Sequence, residues 1–168
     1  MKTLSMLLLA PALLAFASHD AHAQEVSIKP AQLPAEIRAA VAKRFPNAPM
    51  TTASREVEDG KTSYEVTVKV DGKKVDVTAS TAGELTLIER EMAKKDLPAA
   101  VAALIDAKYP KARYHTVEDV STVSSAGESL SYYEVLLTDS SKQKWELQVA
   151  LDGSRIITTE KKKPGDVD

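Results

Sequence analysis

Hydrophobic and polar positions follow two periodicities along this chain, and both periodicities appear twice in the same order. Ile37, Val41 and Phe45 recur at the spacing of one helical face, with charged residues mainly on the other side. From Tyr64 onward apolar and polar residues alternate one by one, which is typical of a half-buried strand. The pattern therefore predicts a helix followed by strands, and it returns from Val101 onward.

Prolines mark the ends of both predicted helices. Pro34 and Pro98 stand where a first helical turn tolerates proline, because the missing N–H would have no partner there. Pro46 and Pro110 end the helices, since a residue that precedes proline is pushed out of the helical region. After each helix we expect four antiparallel strands, near residues 52–58, 64–70, 74–80 and 85–88 in the first copy and near residues 114–120, 132–137, 144–151 and 155–159 in the second.

The two copies share landmarks, since Leu33-Pro34 returns as Leu97-Pro98. The spacing between the copies grows along the chain, so one connection must hold an insertion, which we assign to the Ser-rich stretch 121–127. An internal repeat of this length indicates two copies of one small fold. The predicted fold class is α+β, with two tandem αββββ repeats at residues 33–92 and 93–160, each a helix packed on a four-stranded antiparallel sheet.

The N-terminal stretch 1–23 carries the pattern of a secretory signal. Lys2 supplies a positive start, residues 4–17 are almost entirely apolar, and Ala21-His22-Ala23 fits a small-x-small cleavage site. The apolar stretch is shorter than the roughly 20 residues of a spanning helix, and an uncleaved anchor is the other interpretation. We expect a periplasmic or secreted protein with a signal peptide at 1–23, an N-terminal segment at 24–32 and a flexible tail at 161–168.

The charge balance excludes two classes of partner. Residues 1–23 contain only Lys2 and Asp20 as charged side chains, so the remaining chain keeps the net charge of −2. A nucleic-acid binder would show a basic excess or stripe, and a membrane-surface binder would show a basic amphipathic helix. We therefore predict no nucleic-acid partner and no membrane insertion after signal cleavage. The chain has no cysteine, so its core must stabilise it without disulfides.

Few residues of the sequence could carry catalysis. His115 is the only histidine after residue 23, so a histidine metal cluster cannot form within one chain, and no nucleophile-elbow motif accompanies it. Glu118-Asp119 and the acidic stretch 56–59 could act as acid and base or collect calcium, but they lack the glycine-spaced EF-hand loop. We expect these carboxylates to be solvated charges, and we predict no enzyme activity, no cofactor and no metal.

The strand face turned away from the helix differs between the two copies. In the first copy this face reads as ordinary polar surface, whereas the second copy places large apolar side chains and a tyrosine there, and tyrosine is favoured at binding surfaces. The predicted protein-binding face consists of Tyr132, Leu136, Ile156, Glu134 and Gln148. Two other interpretations stay open: the copies pack against each other there, or the strand faces are inverted.

The opposite alternation of the second copy contains Trp145 and Tyr133. Because neighbouring strand residues point to opposite faces of a sheet, these two aromatic side chains are expected to lie in the core.

Several of these landmarks together resemble the PepSY-type repeat. They are a helix that ends in an aromatic-Pro pair, the strand Tyr64-Glu65-Val66, a hairpin, and the turn at Gly83. The tandem arrangement resembles PepSY-like proteins related in fold to the β-lactamase-inhibitor protein, and the resemblance covers nearly all of residues 33–160. It implies a secreted or periplasmic protein without known catalytic residues, among whose relatives some inhibit enzymes or are thought to bind peptides or restrain peptidases. The chain lacks the cysteines of the disulfide-bearing inhibitor, and no inhibitory residue can be transferred to it.

Two functions follow from the residues and the resemblance. The first is an exported, non-catalytic binding module that docks a protein or peptide partner of the cell envelope on its sheet surface, and so inhibits or restrains a periplasmic enzyme or peptidase. The second is a structural or stress-related envelope protein that binds small ligands or divalent ions through surface carboxylates. An enzyme that uses His115 ranks third.

Overall fold

Nine antiparallel strands, paired in the order in which they occur in the sequence, build one sheet, and two helices cover one of its faces. The computed structural model describes residues 24–162, so the predicted signal peptide and the end of the predicted tail lie outside the described residues. The helices are α1 (Ala35–Arg44) and α2 (Ala99–Lys108). The strands are β1 (Gln24–Ile28), β2 (Met50–Glu58), β3 (Lys61–Val70), β4 (Lys73–Ser80), β5 (Leu85–Glu91), β6 (Arg113–Ser124), β7 (Gly127–Thr138), β8 (Lys144–Ala150) and β9 (Ile156–Lys161).

The sheet is continuous, which differs from the predicted pair of separate four-stranded sheets. Each helix is followed by four antiparallel strands, but β5 pairs with β6 from Leu87↔Thr122 to Glu91↔Glu118 and so joins the two halves. The segment 24–32 contributes β1, which pairs with β2. Two separate sheets would leave the backbone groups of β5 and β6 as open edges, and pairing satisfies those groups.

Both helices begin directly after a proline and end before an aromatic residue. Pro34 and Pro98 are the N-cap residues rather than first-turn residues, and each accepts a hydrogen bond at its carbonyl from the backbone N–H four residues later. Phe45 and Tyr109 are the C-cap residues. The apolar stripe of each helix is buried against the sheet, as its spacing predicts.

Two apolar clusters lie between the helices and the sheet. The first is built around α1 and includes Ile37 and Val77, and the second is built around α2 and includes Ile105 and Leu147. Trp145 and Tyr133 pack against the second cluster, so their predicted core position is correct. The helices therefore cover one face of the sheet and pack against it, and the opposite face carries no helix.

The Ser-rich stretch is not the loop that its composition predicts. It lies in the hairpin of β6 and β7, whose strands have 12 residues each and are joined at Ser125 and Ala126. Near its tip, Glu128 accepts hydrogen bonds from Arg44 at 2.6 Å and pairs with Arg90 at 2.7 Å. Val123 packs on the first apolar cluster. The inserted residues therefore lengthen a hairpin that reaches from the second half of the chain onto the first.

Candidate binding groove

The sheet face without helices forms a groove of about 500 Å³ to which all nine strands contribute side chains. Because side chains alternate between the faces of a strand, the polar positions of every strand gather on this face. Of the charged residues that line the groove, ten are acidic and two are lysines. They are Glu25, Glu56, Glu58, Glu65, Asp76, Glu89, Glu118, Glu134, Glu146 and Glu160, with Lys74 and Lys162. We call this feature the acidic groove.

Three carboxyl groups meet at the centre of the acidic groove. Glu118 on β6 lies directly opposite Glu134 on β7, and Glu89 comes from the neighbouring strand β5. One carboxylate oxygen from each of the three residues lies within 4.8 Å of the others. We call Glu89, Glu118 and Glu134 the central glutamates. Such a cluster could hold a cation, because its charges would otherwise repel each other.

The two lysines of the groove are held at the sides of this cluster. Lys74 Nζ lies 3.0 Å from Asp76 Oδ2, and the Thr67 hydroxyl donates a 2.6 Å hydrogen bond to the other oxygen of Asp76. Lys162 Nζ lies 2.7 Å from Glu146 Oε2 and 3.6 Å from Glu160 Oε1. The flanking carboxylates therefore have cationic partners within the chain.

The central glutamates have far fewer partners. Glu134 accepts one long hydrogen bond of 3.3 Å from the Gln148 amide. Within residues 24–162, Glu89 and Glu118 take part in no hydrogen bond and in no ion pair shorter than 4 Å. Glu118 is nevertheless only 8% exposed. A buried carboxylate without a partner is costly, so the centre of the groove is the least compensated part of this surface.

The pKa values of the groove carboxyls reflect this lack of compensation. Burial and then repulsion from Glu134 raise the pKa of Glu89 to about 9. Burial raises the pKa of Glu118, Glu65 and Glu134 to about 7, and a neighbouring carboxylate contributes next, from Asp76 in the first two cases and from Glu146 in the third. Near neutral pH the groove therefore holds protons that exposed carboxyls would have released.

Apolar side chains lie beside the central glutamates. Leu136 is 5% exposed, and Leu87 and Tyr132 also line the groove. Val120 pairs with Glu89 on one side and with Tyr132 on the other, and it is fully buried between them. Burial raises the pKa of Tyr132 to about 12, so its phenol stays neutral. The centre of the groove thus combines carboxylates with an aromatic and aliphatic surface.

Four of the five residues predicted for a protein-binding face come together here. Tyr132, Leu136, Glu134 and Gln148 all line the groove, and the Gln148 amide approaches the Tyr132 hydroxyl at 3.4 Å. Ile156 is on the other face, where it pairs with Val149 and packs against the second apolar cluster, so its predicted position is wrong. A register shift in β8–β9 between Gln148 and Val149 offsets the alternation, and such a bulge leaves no clear mark in a residue pattern.

The first half of the chain contributes more to this surface than its pattern predicts. The sequence pattern predicts solvent-exposed polar positions at Glu65, Thr67, Asp76 and Thr78. In the structure Thr67 and Asp76 are buried, and Glu65 and Thr78 are half-buried. Glu118 was expected to be a solvated charge, and its burial contradicts that expectation. These contacts have no signal in the sequence, because only the continuous pairing of the strands brings residues from distant strands into one groove.

Glu89 was not identified from the sequence at all. The predicted strand ends at Ile88, and the three charged residues Glu89-Arg90-Glu91 show no apolar-polar alternation that would assign Glu89 to a face. His115 lies outside the groove, exposed, with its Nε2 atom 2.7 Å from the Thr138 hydroxyl. The residue pattern therefore located the groove only in part.

Two family models match adjacent parts of this chain. A PepSY model, described as peptidase propeptide and YPEB domain, matches residues 33–82. A beta-lactamase-inhibitor-like, PepSY-like model matches residues 80–156. A search of curated proteins found no match to the sequence.

Solved structures share the fold at low sequence identity. A BLIP-like protein from Bacteroides fragilis is 20% identical with a TM-score of 0.54, over 78% of this chain and 87% of that one. A protein from Bacteroides eggerthii, described as periplasmic, is 14% identical with a TM-score of 0.60, over 76% of this chain and 88% of that one.

Within residues 24–162, neither helix has the length and apolar character needed to cross a membrane.

Proposed function

We propose that this chain is an exported, non-catalytic module that docks a protein or peptide of the cell envelope in its acidic groove. The matches to the PepSY model and to the beta-lactamase-inhibitor-like, PepSY-like model support this proposal. The observation that carries this proposal is the groove itself, at whose centre Glu118 is largely buried without a hydrogen bond and lies beside the apolar side chains of Tyr132 and Leu136. A stable isolated protein gains nothing from such a surface, whereas a binding site does. Docking there would inhibit or restrain a periplasmic enzyme or peptidase.

A non-catalytic role is supported by the side chains that line the groove. The lining residues include no histidine and no cysteine, and the one serine among them, Ser63, has no hydrogen-bonded base. The hydroxyls of Thr78 and Thr116, which also line the groove, have no hydrogen-bonded base among the described residues either. Nucleophilic catalysis needs a nucleophile and a base in contact, and the described lining residues do not supply that pair.

We also propose that residues 33–92 and 93–160 are two copies of one αββββ unit. Supporting this, Gly83 approaches α1 at Glu36, and Gly153 approaches α2 at Ala100, which is the corresponding position of the second helix. The N-cap prolines and aromatic C-caps also correspond. The two copies would then share one sheet, and the acidic groove would be a joint product of both.

A photo-crosslinking experiment tests the docking proposal. We expect a benzoyl-phenylalanine at the position of Tyr132, inside the groove, to form a covalent adduct with one envelope protein in intact cells. The same group at the position of Glu36, which is exposed on α1 on the opposite face, serves as the matched control and should form no such adduct. Adducts of equal yield at both positions, or at Glu36 alone, would contradict docking in the groove.

The alternative function is supported by one observation, the closeness of the central glutamates. Their oxygens lie within 4.8 Å of one another, and calcium is bound in proteins by six to eight such oxygen ligands, part of which water can supply. An envelope protein that binds divalent ions would use this cluster, with Glu118 and Glu134 on facing strands as its rigid pair.

Calorimetry distinguishes the two functions. If the groove is a divalent-ion site, titrating calcium into the protein should release or absorb heat, and the Glu118→Gln variant should abolish that signal because it removes a charged ligand. If the groove is a docking surface for a protein, calcium should give no saturable heat. A Glu36→Gln variant, altered outside the groove, should behave like the unaltered protein in either case.

A further inference from the structure

We propose that the central glutamates receive a lysine or arginine side chain of the partner, whose alkyl stem lies on the apolar side chains beside them. This inference rests on the proposed docking function and names the chemistry that the partner must present. The partner would be a protein or peptide segment with an exposed basic residue, inserted between Glu118, Glu134 and Glu89.

The charge of the groove calls for a cation from outside the chain. The groove has ten acidic residues and two lysines, and both lysines are already paired, Lys74 with Asp76 and Lys162 with Glu146 and Glu160. No side chain among residues 24–162 brings a cation into ion-pair distance of Glu118 or Glu89. The least compensated carboxyl groups therefore lie at the centre of the groove, where the charge of Lys74 acts on Glu118 only from beyond ion-pair distance, and a complementary basic group that displaces their protons fits there.

The groove already binds lysine side chains in this way. The Lys162 side chain is only 19% exposed, and its ammonium group lies 2.7 Å from a carboxylate oxygen of Glu146 and 3.6 Å from one of Glu160. On the other side of the groove, the ammonium group of Lys74 pairs with the single carboxylate of Asp76. Lysine and arginine bury an apolar alkyl stem and present a charged head group. A groove that already accommodates two lysine side chains can accommodate a third basic side chain at another group of carboxylates.

The central glutamates provide that third place. Glu118 is only 8% exposed and faces the groove without a hydrogen bond among the described residues, and the charge of Lys74 offsets its burial only in part, so its pKa stays raised. Tyr132 and Leu136 beside it offer an apolar surface that would contact an alkyl stem. A hydrated metal ion makes no use of such a surface, whereas an amphipathic side chain is matched by both parts of the site.

A peptide titration on the full-length exported chain tests this inference. The probe is a short acetylated peptide of alternating serine and lysine, and its control is the same peptide with norleucine in place of lysine. Binding is followed by amide chemical shifts in a chelator-containing buffer. We expect the lysine peptide to shift groove resonances saturably, and we expect the Glu118→Gln/Glu134→Gln variant to weaken its affinity about tenfold or more, since charge-assisted hydrogen bonds are lost.

A charge-matched variant separates a specific site from general attraction. Glu36→Gln/Glu84→Gln removes the same number of charges at exposed positions outside the groove, and its affinity for the lysine peptide should stay within about twofold of the unaltered protein. Circular dichroism of both variants shows whether the fold is kept, and Glu134→Gln alone replaces the double variant if it is not.

Each remaining result overturns the inference. If the norleucine peptide binds as tightly, if both double variants weaken binding equally, or if the lysine peptide does not bind, the central glutamates do not receive a basic side chain. These failures are distinguishable from failure of the docking proposal. Suppose that an envelope protein crosslinks at the position of Tyr132 with equal yield in the unaltered protein and in the Glu118→Gln/Glu134→Gln variant. The docking proposal would then stand, and only the inference that the partner inserts a basic side chain would be rejected.

Discussion

Replacing Gly153 by alanine is expected to lower the free energy of unfolding by about 3 kcal/mol or more. A Cβ atom at this position would lie 2.6 Å from the carbonyl carbon of Ala100 and 2.7 Å from the backbone nitrogen of Val101. Both atoms belong to the backbone of α2 and cannot rotate away, so the helix would have to move off the sheet. Urea denaturation at one pH measures the effect.

Gly60→Ala is the matched control for this substitution. Gly60 has a φ of +73°, close to the +69° of Gly153, but a Cβ atom there would meet nothing within 4 Å. It should therefore cost only the strain of the left-handed backbone, about 1 kcal/mol. Gly83 and Gly72 form a second such pair, since both have a φ of +81° and only Gly83 approaches a helix. Equal costs within each pair would show that the helix backbone does not exclude a Cβ atom at Gly153 and Gly83.

The protein is expected to lose stability as the pH rises from about 5 to about 9. The central glutamates and Glu65 have native pKa values of about 7 to about 9, above the ordinary value of 4.5 that holds in the unfolded chain. In this window the native state holds protons that the unfolded chain has released, so raising the pH favours unfolding. The stabilising contribution is complete below about pH 4.5 and is lost as the pH passes through the native pKa values.

Glu118 supplies one part of this effect, to which Glu65, Glu89 and Glu134 add. One pKa unit corresponds to about 1.4 kcal/mol, so the shift of the Glu118 pKa from 4.5 to about 7 predicts a fall of about 3 kcal/mol in the free energy of unfolding. The lowered pKa values of Glu128, Asp139 and Asp152 act below about pH 4.5 and leave this window unaffected. Urea denaturation at about pH 5, 7 and 9, in the presence of a chelator, measures the slope.

Two glutamine variants check the origin of the slope. Glu118→Gln keeps the shape of the side chain but cannot ionise, so the loss of stability toward high pH should become smaller. Glu36→Gln, on the exposed side of α1, should leave the slope unchanged. If Glu118→Gln shows the same pH dependence as the unaltered protein, ionisation in the groove does not oppose folding.

Short-range patterns account for most elements of the fold. The apolar stripes and their prolines locate α1 and α2 within a residue, because helix periodicity and proline geometry are properties of consecutive residues. The period-two alternation located the eight strands that follow the helices and placed Tyr132, Leu136, Glu134 and Gln148 on the helix-free face. It failed at Ile156 because a register shift offsets the alternation there.

The acidic groove, by contrast, depends on pairing between distant strands. Glu89, Glu118 and Glu134 are far apart in sequence and each reads as an ordinary polar strand residue, so nothing local distinguishes them from solvated charges. Only the pairing of β5 with β6 and of β6 with β7 brings their carboxylates within 4.8 Å and buries Glu118. The sequence by itself thus determined which residues form helices and strands and, for most strands, which face they occupy. The tertiary structure alone decided that the two halves share one sheet and that its free face concentrates negative charge, since burial and electrostatic repulsion depend on distances across strands rather than along the chain.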